Sequence, residues 1–187
     1  MSVTLLLQKG RFTMSAKTRG RGNVHTRRNI AEFDANDPYA PRLEESQVAV
    51  CTECHAIYQR RHWFFDDAAY MRETMQPETR MVLCPACHKI RDRYAEGQVT
   101  LRSSPFLTSH KDEILRLMKN EEERAKGINP LERIIEISET DAGVVVTTTN
   151  EKLAQRIGRT LKSSYQGQTT YQWSDPKFLS VEWHRPA

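Results

Sequence analysis

Two short segments, Cys51-Thr-Glu-Cys54-His55 and Cys84-Pro-Ala-Cys87-His88, contain all four cysteines of the chain. In each segment two residues separate the cysteines, a spacing that lets both sulfur atoms bind the same ion. A second such pair completes a tetrahedral set of four thiolates. We therefore predict one structural Zn²⁺ ion bound by Cys51, Cys54, Cys84 and Cys87.

Each segment also ends in histidine and so matches the Cys-x-x-Cys-His pattern of c-type haem attachment. Haem attachment requires an oxidising compartment, and residues 1–9 lack the basic region and cleavage site of a signal peptide. The sequence therefore favours zinc and a cytoplasmic location, where paired cysteines more often bind metal than form disulfides. No apolar run approaches the roughly 20 residues of a membrane span, so we expect no membrane insertion.

A catalytic zinc site is the other alternative for these cysteines. Zinc deaminases combine Pro-Cys-x-x-Cys with an upstream His-x-Glu, whereas here Pro85 lies inside the doublet and no His-x-Glu precedes it. Four protein ligands also leave no open position on the metal for water or substrate. We expect the protein not to be an enzyme.

Positive charge is concentrated at the N-terminus of this 187-residue chain. Residues 1–30 carry seven basic side chains and no acidic one, including Arg19, Arg21, Arg27 and Arg28. Residues 1–46 show no helical or strand periodicity, and they contain Arg-Gly-Arg-Gly and two prolines. We predict a disordered basic arm over residues 1–46 that binds nucleic acid.

Residues 47–105 form the predicted zinc-ribbon module. Short strands at 48–50 and 81–83 lead into the two cysteine pairs, and Asp66 or Asp67 caps a short helix. Arg60 and Arg61 precede an aromatic run, Trp-Phe-Phe, and are candidate RNA contacts. For the aromatic run itself, residues 63–65, we expect core packing.

Residues 106–187 predict an α+β domain. The expected order is a helix at 109–126, a hairpin at 132–149, a helix beginning after Asn150, and a hairpin at 168–183. This helix–hairpin–helix–hairpin order predicts a four-stranded antiparallel sheet with both helices on one face. In the second helix Leu153, Ile157 and Leu161 recur every fourth residue and should face the core.

The second helix also has a basic side. Four cations follow one another at spacings of four, three and three residues and so share one helical stripe: Lys152, Arg156, Arg159 and Lys162. The stripe is either a solvated surface or a surface that contacts phosphates. Packing against the sheet is the expected role of the aromatic residues nearby, Tyr165, Tyr171, Trp173, Phe178 and Trp183.

Several of these segments together resemble the NMD-three family, the adaptors of the large ribosomal subunit. They are Cys84-Pro-Ala-Cys87 with Ile90-Arg91, Val146-Thr-Thr-Thr-Asn150, Ala154-Gln-Arg-Ile-Gly158 and Tyr165-Gln-Gly167. The chain is most similar to a short prokaryotic branch, over roughly residues 48–185. Longer members carry additional cysteine doublets, further domains and export signals, so subunit export is not implied. The resemblance implies zinc binding by the four cysteines and association with ribosomes or ribosomal RNA.

The sequence thus predicts a non-catalytic zinc protein that binds the ribosome or ribosomal RNA during assembly, quality control or dormancy. Two other classes are compatible with a zinc ribbon. One is a protein–protein adaptor, and the other is a DNA-binding regulator, although no recognition helix or dimer seam is evident.

Overall fold

The computed structural model describes residues 37–174 and 177–186, all of them within one unit, Ala35–Ala187. These residues form a mixed α+β structure with four helices and two sheets. The arm arginines at positions 19, 21, 27 and 28 lie outside the described residues, and so does the predicted disorder of residues 1–36. None of the helices in the described part of the chain has the length and hydrophobicity needed to cross a membrane.

The first sheet holds the cysteine pairs. Its strands have the order β3-β2-β1-β4, and β4 runs parallel to β1. Two short helices accompany it. The elements are β1 (Ala49–Cys51), β2 (Ile57–Gln59), β3 (His62–Phe64), α1 (Asp67–Glu73), β4 (Arg80–Val82) and α2 (Pro85–Asp92).

Local sequence explains both helix starts in this region. Asp66 caps α1 by accepting a 2.8 Å hydrogen bond from the Ala69 amide, which confirms one of the two predicted caps. The sequence analysis did not predict α2. That helix has Cys84 at its N-cap and Pro85 in its first turn, where a missing N–H costs nothing.

The second sheet has five strands in the order β6-β7-β5-β9-β8. The predicted hairpins, β6–β7 and β8–β9, flank a central strand that runs antiparallel to β7 and parallel to β9. The elements are β5 (Gly97–Arg102), α3 (Pro105–Ile128), β6 (Ile134–Thr140), β7 (Gly143–Thr148), α4 (Glu151–Tyr165), β8 (Gln168–Ser174) and β9 (Phe178–His184).

The predicted four-stranded antiparallel sheet is therefore wrong in strand number and direction. The additional strand, β5, comes from residues 97–105, which the sequence analysis placed with the zinc ribbon. Its alternating apolar residues, Val99 and Leu101, are typical of a strand, and both are fully buried. That pattern does not specify which neighbours the strand will pair with, because pairing depends on the whole sheet.

Helix α3 is longer than the predicted 109–126. It begins at Pro105, four residues before the predicted start, and Ser104 caps it by accepting a 3.0 Å hydrogen bond from the Leu107 amide. The predicted zinc-ribbon module ends at Pro105. Proline is equally suited to the first turn of a helix, since its fixed φ is helical and its absent N–H is not needed there.

Helices α3 and α4 cover one face of the five-stranded sheet. The predicted stripe of Leu153, Ile157 and Leu161 is fully buried against it. Asn150 caps α4 as expected, accepting a 3.0 Å hydrogen bond from the Leu153 amide. The buried side chains of β5 and β9 complete this core, and each aliphatic residue there contributes about 1.5–3 kcal/mol by burial.

The chain before β1 also packs on the folded body. The Tyr39 ring stacks on Tyr94, with centroids 4.8 Å apart, and meets the His88 ring edge-on at 5.0 Å. Leu43 packs against the cluster that contains the cysteines. Residues 37–46 are thus structured contacts of the cysteine region, although the sequence analysis assigned them to the disordered arm.

Candidate metal centre

The four cysteine side chains converge at one place. All four Sγ atoms lie within 4.8 Å of one another, and those of Cys54 and Cys84 are 3.6 Å apart. A tetrahedral ion with Zn–S bonds of about 2.3 Å requires sulfur atoms about 3.8 Å apart. Donor chemistry and spacing therefore both fit one zinc-sized ion.

A tight turn and the pairing of two strands bring the cysteines together. Cys51 ends β1, and the following turn closes through a hydrogen bond from the His55 amide to the Cys51 carbonyl, with His55 at a φ of 64°. Parallel pairing of β1 with β4 then places Cys84, two residues after β4, beside Cys51. The Cys84 amide lies 3.3 Å from the Cys51 Sγ.

Backbone amides donate to the sulfur atoms. Besides the Cys84 amide, the Cys87 amide at the start of α2 donates to the Cys84 Sγ over 3.4 Å. Such bonds stabilise thiolates, because each N–H dipole points at developing negative charge. Three of the four cysteines are buried, and Cys54 is partly exposed.

Contact among the four thiols shifts their pKa values in opposite directions. The pKa of Cys51 lies far below its usual value, because the other three cysteines donate hydrogen bonds to its thiolate. The pKa values of Cys84 and Cys87 lie well above theirs, first because each gives up a hydrogen bond to Cys51 on ionising. The hydrogen bond of Cys54 to Cys51 raises the pKa of Cys54, but those from Cys84 and Cys87 outweigh it and lower that pKa to about 7. Ionisation of Cys51 and Cys54 is thus favoured and that of Cys84 and Cys87 is opposed, so four thiolates require a bound cation.

The histidines that follow the two pairs have other contacts. The exposed His55 ring stacks on Tyr70 with centroids 4.4 Å apart. The His88 Nε2 lies 3.5 Å from an Asp92 carboxylate oxygen, one turn further along α2. Neither histidine belongs to the cluster of candidate ligands found in the described residues.

A buried lysine connects the metal centre to the second sheet. Lys89 lies on α2, two residues after Cys87, and is 8% exposed. Its Nζ donates to Glu96 over 2.7 Å and to the Thr149 carbonyl over 3.2 Å. Lys89 thereby joins the helix that carries two of the cysteines to the end of β7.

The structure separates the predicted basic stripe of α4 into two parts. Lys152, Arg159 and Lys162 are exposed. Arg156 instead points to Glu132, with 3.4 Å between its Nη2 and a carboxylate oxygen that is almost fully buried. Arg156 is therefore part of the fold rather than of a continuous exposed stripe.

The other candidate RNA contacts lie in the first sheet. Arg60 and Arg61 form the β2–β3 turn, both with positive φ, and Arg61 pairs with Glu45 at 3.2 Å. Trp63 is buried as expected, whereas Phe64 is partly buried and Phe65 is 39% exposed.

Aromatic residues of the last hairpin do not all pack as predicted. Trp183 is fully buried and Leu179 and Val181 lie with it in the core, but Trp173 is 59% exposed and Tyr171 37% exposed. Both exposed residues lie on β8, an edge strand that α4 covers only in part. Sequence reasoning missed this surface because strand alternation does not reveal which strand is at the edge.

Comparison of the chain with family models and with curated proteins finds no match. The resemblance to the NMD-three family therefore stays a prediction. What the described residues establish is a cluster of four cysteines suited to one metal ion, within a mixed α+β fold.

Proposed function

We propose that the protein is a non-catalytic zinc-binding factor that associates with ribosomes or ribosomal RNA in the cytoplasm, in assembly, quality control or dormancy. The observation that carries the metal assignment is the convergence of the four cysteine sulfurs. Soft thiolate ligands select zinc over the hard cations, magnesium and calcium.

Closed coordination supports a structural rather than catalytic role for the metal. Catalytic zinc keeps a position for water or substrate, whereas four cysteines fill a tetrahedron. The cysteines also belong to the small hydrophobic core that includes Ala49, Tyr58 and Trp63. Such a core stabilises a module of this size only with an additional crosslink, which the metal supplies.

Exposed cations on α4 support the RNA assignment. Lys152, Arg159 and Lys162 lie seven and three residues apart and so share one side of the helix. The single acid of α4, Glu151, lies in the first turn, where it also complements the helix dipole. We define Lys152, Arg159 and Lys162 as the α4 basic face and assign it to phosphate contacts.

The ribosomal target comes from the resemblance to the NMD-three family alone. The arginine-rich residues before position 30 add a second basic segment, which would contact phosphates sequence-independently. Together the two segments predict salt-sensitive binding to RNA.

Sedimentation of ribosome fractions with and without nuclease tests this function. We expect the protein to sediment with ribosomal particles and to be released by nuclease. Alanine at the three α4 basic-face residues should reduce the slope of log affinity against log salt by about 2, since each phosphate contact contributes about 0.7–0.9.

A matched control keeps the charge change constant. Alanine at three other exposed cations, Arg91, Arg116 and Lys119, removes the same charge from α2 and α3. Equal losses of affinity in both triple variants would show that net charge alone matters, and would remove α4 from the proposal.

Metal analysis tests the zinc assignment independently. We expect one zinc per chain, released by a thiol-modifying reagent, and no visible haem absorption. A haem band, or a purified folded protein without metal, would contradict the assignment.

Exposed methionines favour a protein–protein adaptor as the second candidate function. Met71, Met75 and Met81 are 66%, 82% and 54% exposed around α1 and β4, and flexible methionine side chains suit adaptable protein interfaces. This candidate predicts a protein partner that stays bound after nuclease treatment and at high salt.

A further inference from the structure

Edge strand β8 exposes two aromatic side chains on the same side. Trp173 and Tyr171 are two residues apart, and they are the exposed aromatics of the last hairpin. Of the three tryptophans in the chain, Trp63 and Trp183 are 9% and 0% exposed, against 59% for Trp173. A tryptophan this exposed on an edge strand needs an explanation beyond core packing.

Register shows which side of the sheet these residues occupy. Trp173 pairs with Leu179 and Tyr171 pairs with Val181, and both partners are fully buried beneath α4. Directly paired residues of antiparallel strands project to the same side of a sheet. The two aromatic side chains therefore project from the face of the sheet that α4 covers.

A glycine in α4 lets one of them approach the helix. A Cβ added at Gly158 would lie 3.1 Å from the Tyr171 hydroxyl oxygen and 3.2 Å from its ring. Tyr171 therefore lies directly against the α4 backbone, and its exposed part continues into the exposed surface of the helix.

Positive charge lies near Tyr171. Arg159 follows Gly158, and its charge opposes the increase in the pKa of Tyr171 that burial causes. Lys162 lies one turn after Gly158 on the same side of α4 and is exposed. Arg159 and Lys162 thus lie on the part of α4 that Tyr171 contacts, and Trp173 extends the exposed aromatic surface along β8. We define Tyr171, Trp173, Arg159 and Lys162 as the β8–α4 surface.

We infer that the β8–α4 surface binds single-stranded RNA, with bases stacked on Trp173 and Tyr171 and phosphates bound by Arg159 and Lys162. This inference rests on the proposed function and specifies the form of RNA that α4 contacts. Aromatic stacking beside a basic groove is the combination by which proteins bind single strands without reading their sequence.

Spacing of the rings favours a single strand over a duplex. Residues two apart on a strand are about 6.6 Å apart, whereas stacked nucleotides in a double helix rise about 3.4 Å per step along each strand. Neighbouring bases can occupy both rings only when they are unstacked from each other, which a duplex does not permit.

Two other occupants fit the β8–α4 surface less well than single-stranded RNA. A peptide strand or a second copy of the chain would pair with the free edge of β8 through backbone hydrogen bonds. Neither explains why the exposed aromatic surface continues from Tyr171 to Arg159 and Lys162, whose charges complement phosphate. Both occupants are outcomes of the test below.

Fluorescence anisotropy of the full-length zinc-bound protein tests the inference. The probes are a labelled single-stranded RNA of about 12 nucleotides and the same strand annealed to its complement. Trp173→Ala should weaken single-strand binding about 5- to 150-fold, the range for one lost stacking contact. Trp173→Phe should restore most of the affinity, because it retains an aromatic face.

Matched controls separate stacking from general surface changes. Met75→Ala removes a side chain that is 82% exposed in the first sheet region and should leave affinity unchanged. Tryptophan emission of the wild type should be quenched by the single strand, and this quenching should disappear in Trp173→Ala because the other two tryptophans are buried.

The inference fails if Trp173→Ala binds the single strand as tightly as wild type, or if duplex and single strand bind equally. Concentration-dependent dimerisation that Trp173→Ala abolishes, with RNA affinity unchanged, would assign β8 to a second copy. RNA binding that is lost on neutralising the α4 basic face but kept in Trp173→Ala would overturn this inference alone. No binding of any RNA by wild type would overturn the proposed function as well.

Discussion

Replacing Lys89 with methionine should lower the free energy of unfolding. The substitution removes the contacts that connect α2, next to the metal centre, to Glu96 and Thr149 at the second sheet. Methionine retains most of the aliphatic volume and removes the charge. Glu96, whose side chain is 14% exposed, then loses its partner at 2.7 Å, and the Thr149 carbonyl loses its donor at 3.2 Å. The Glu96 carboxylate and the Thr149 carbonyl therefore no longer accept hydrogen bonds from the lysine.

The expected cost follows from the burial of the pair. Removing one member of a buried ion pair costs about 3–5 kcal/mol, since the remaining charge is uncompensated. Both side chains retain some exposure, 10% for Lys89 and 14% for Glu96, so water still reaches the carboxylate. We therefore expect about 3 kcal/mol, the lower end of that range.

Urea unfolding at saturating zinc, followed by circular dichroism, measures this change. With a urea m-value of about 2 kcal/mol/M, the midpoint should fall by about 1.5 M. Bound zinc should remain at one ion per chain, because Lys89 does not contribute a ligand atom to the cysteine cluster.

Two further variants distinguish charge from packing. Lys89→Met with Glu96→Gln removes both charges and should recover more than half of the loss. Lys119→Met removes an exposed cation of α3 and should change stability by less than about 0.5 kcal/mol. A single Lys89→Met variant as stable as wild type would refute the role of Lys89 as the connection between the two regions.

Four other substitutions have direct outcomes. Cys84→Ser should abolish stoichiometric zinc binding and unfold the first sheet, and metal analysis with backbone NMR would check this; a folded metal-free variant would argue against a structural metal. Gly158→Ala should destabilise by about 1–2 kcal/mol, because overpacking outweighs the gain in helix propensity: the new methyl would lie 2.6 Å from a Val181 methyl. Gly127→Ala, where nothing lies within 4 Å, should instead stabilise by up to about 1 kcal/mol, and thermal melts of both would show the opposite signs. Asn150→Ala should cost about 1 kcal/mol in the same melts by removing the α4 cap, and an unchanged melting temperature would mean that another group satisfies the Leu153 amide.

Local patterns in the sequence were sufficient for the features that depend on near neighbours. Cysteine spacing predicted each pair, because a tight turn holds Cys51 near Cys54 and the start of α2 holds Cys84 near Cys87. The two pairs meet only through the pairing of β1 with β4. The caps of α1 and α4 are side chain–backbone contacts over three residues, so Asp66 and Asn150 were recognisable. The Leu153 stripe reflects helical periodicity, and the structure confirms its burial.

Tertiary structure alone decided the features that depend on distant partners. Strand β5 looks like any alternating strand, yet it lies at the centre of the second sheet because β7 and β9 both pair with it. Arg156 belongs to the basic stripe of α4 by periodicity, but folding places it beside the buried Glu132, 24 residues earlier. Trp173 and Trp183 have the same residue type on adjacent strands, and only sheet order makes one an exposed edge residue and the other core.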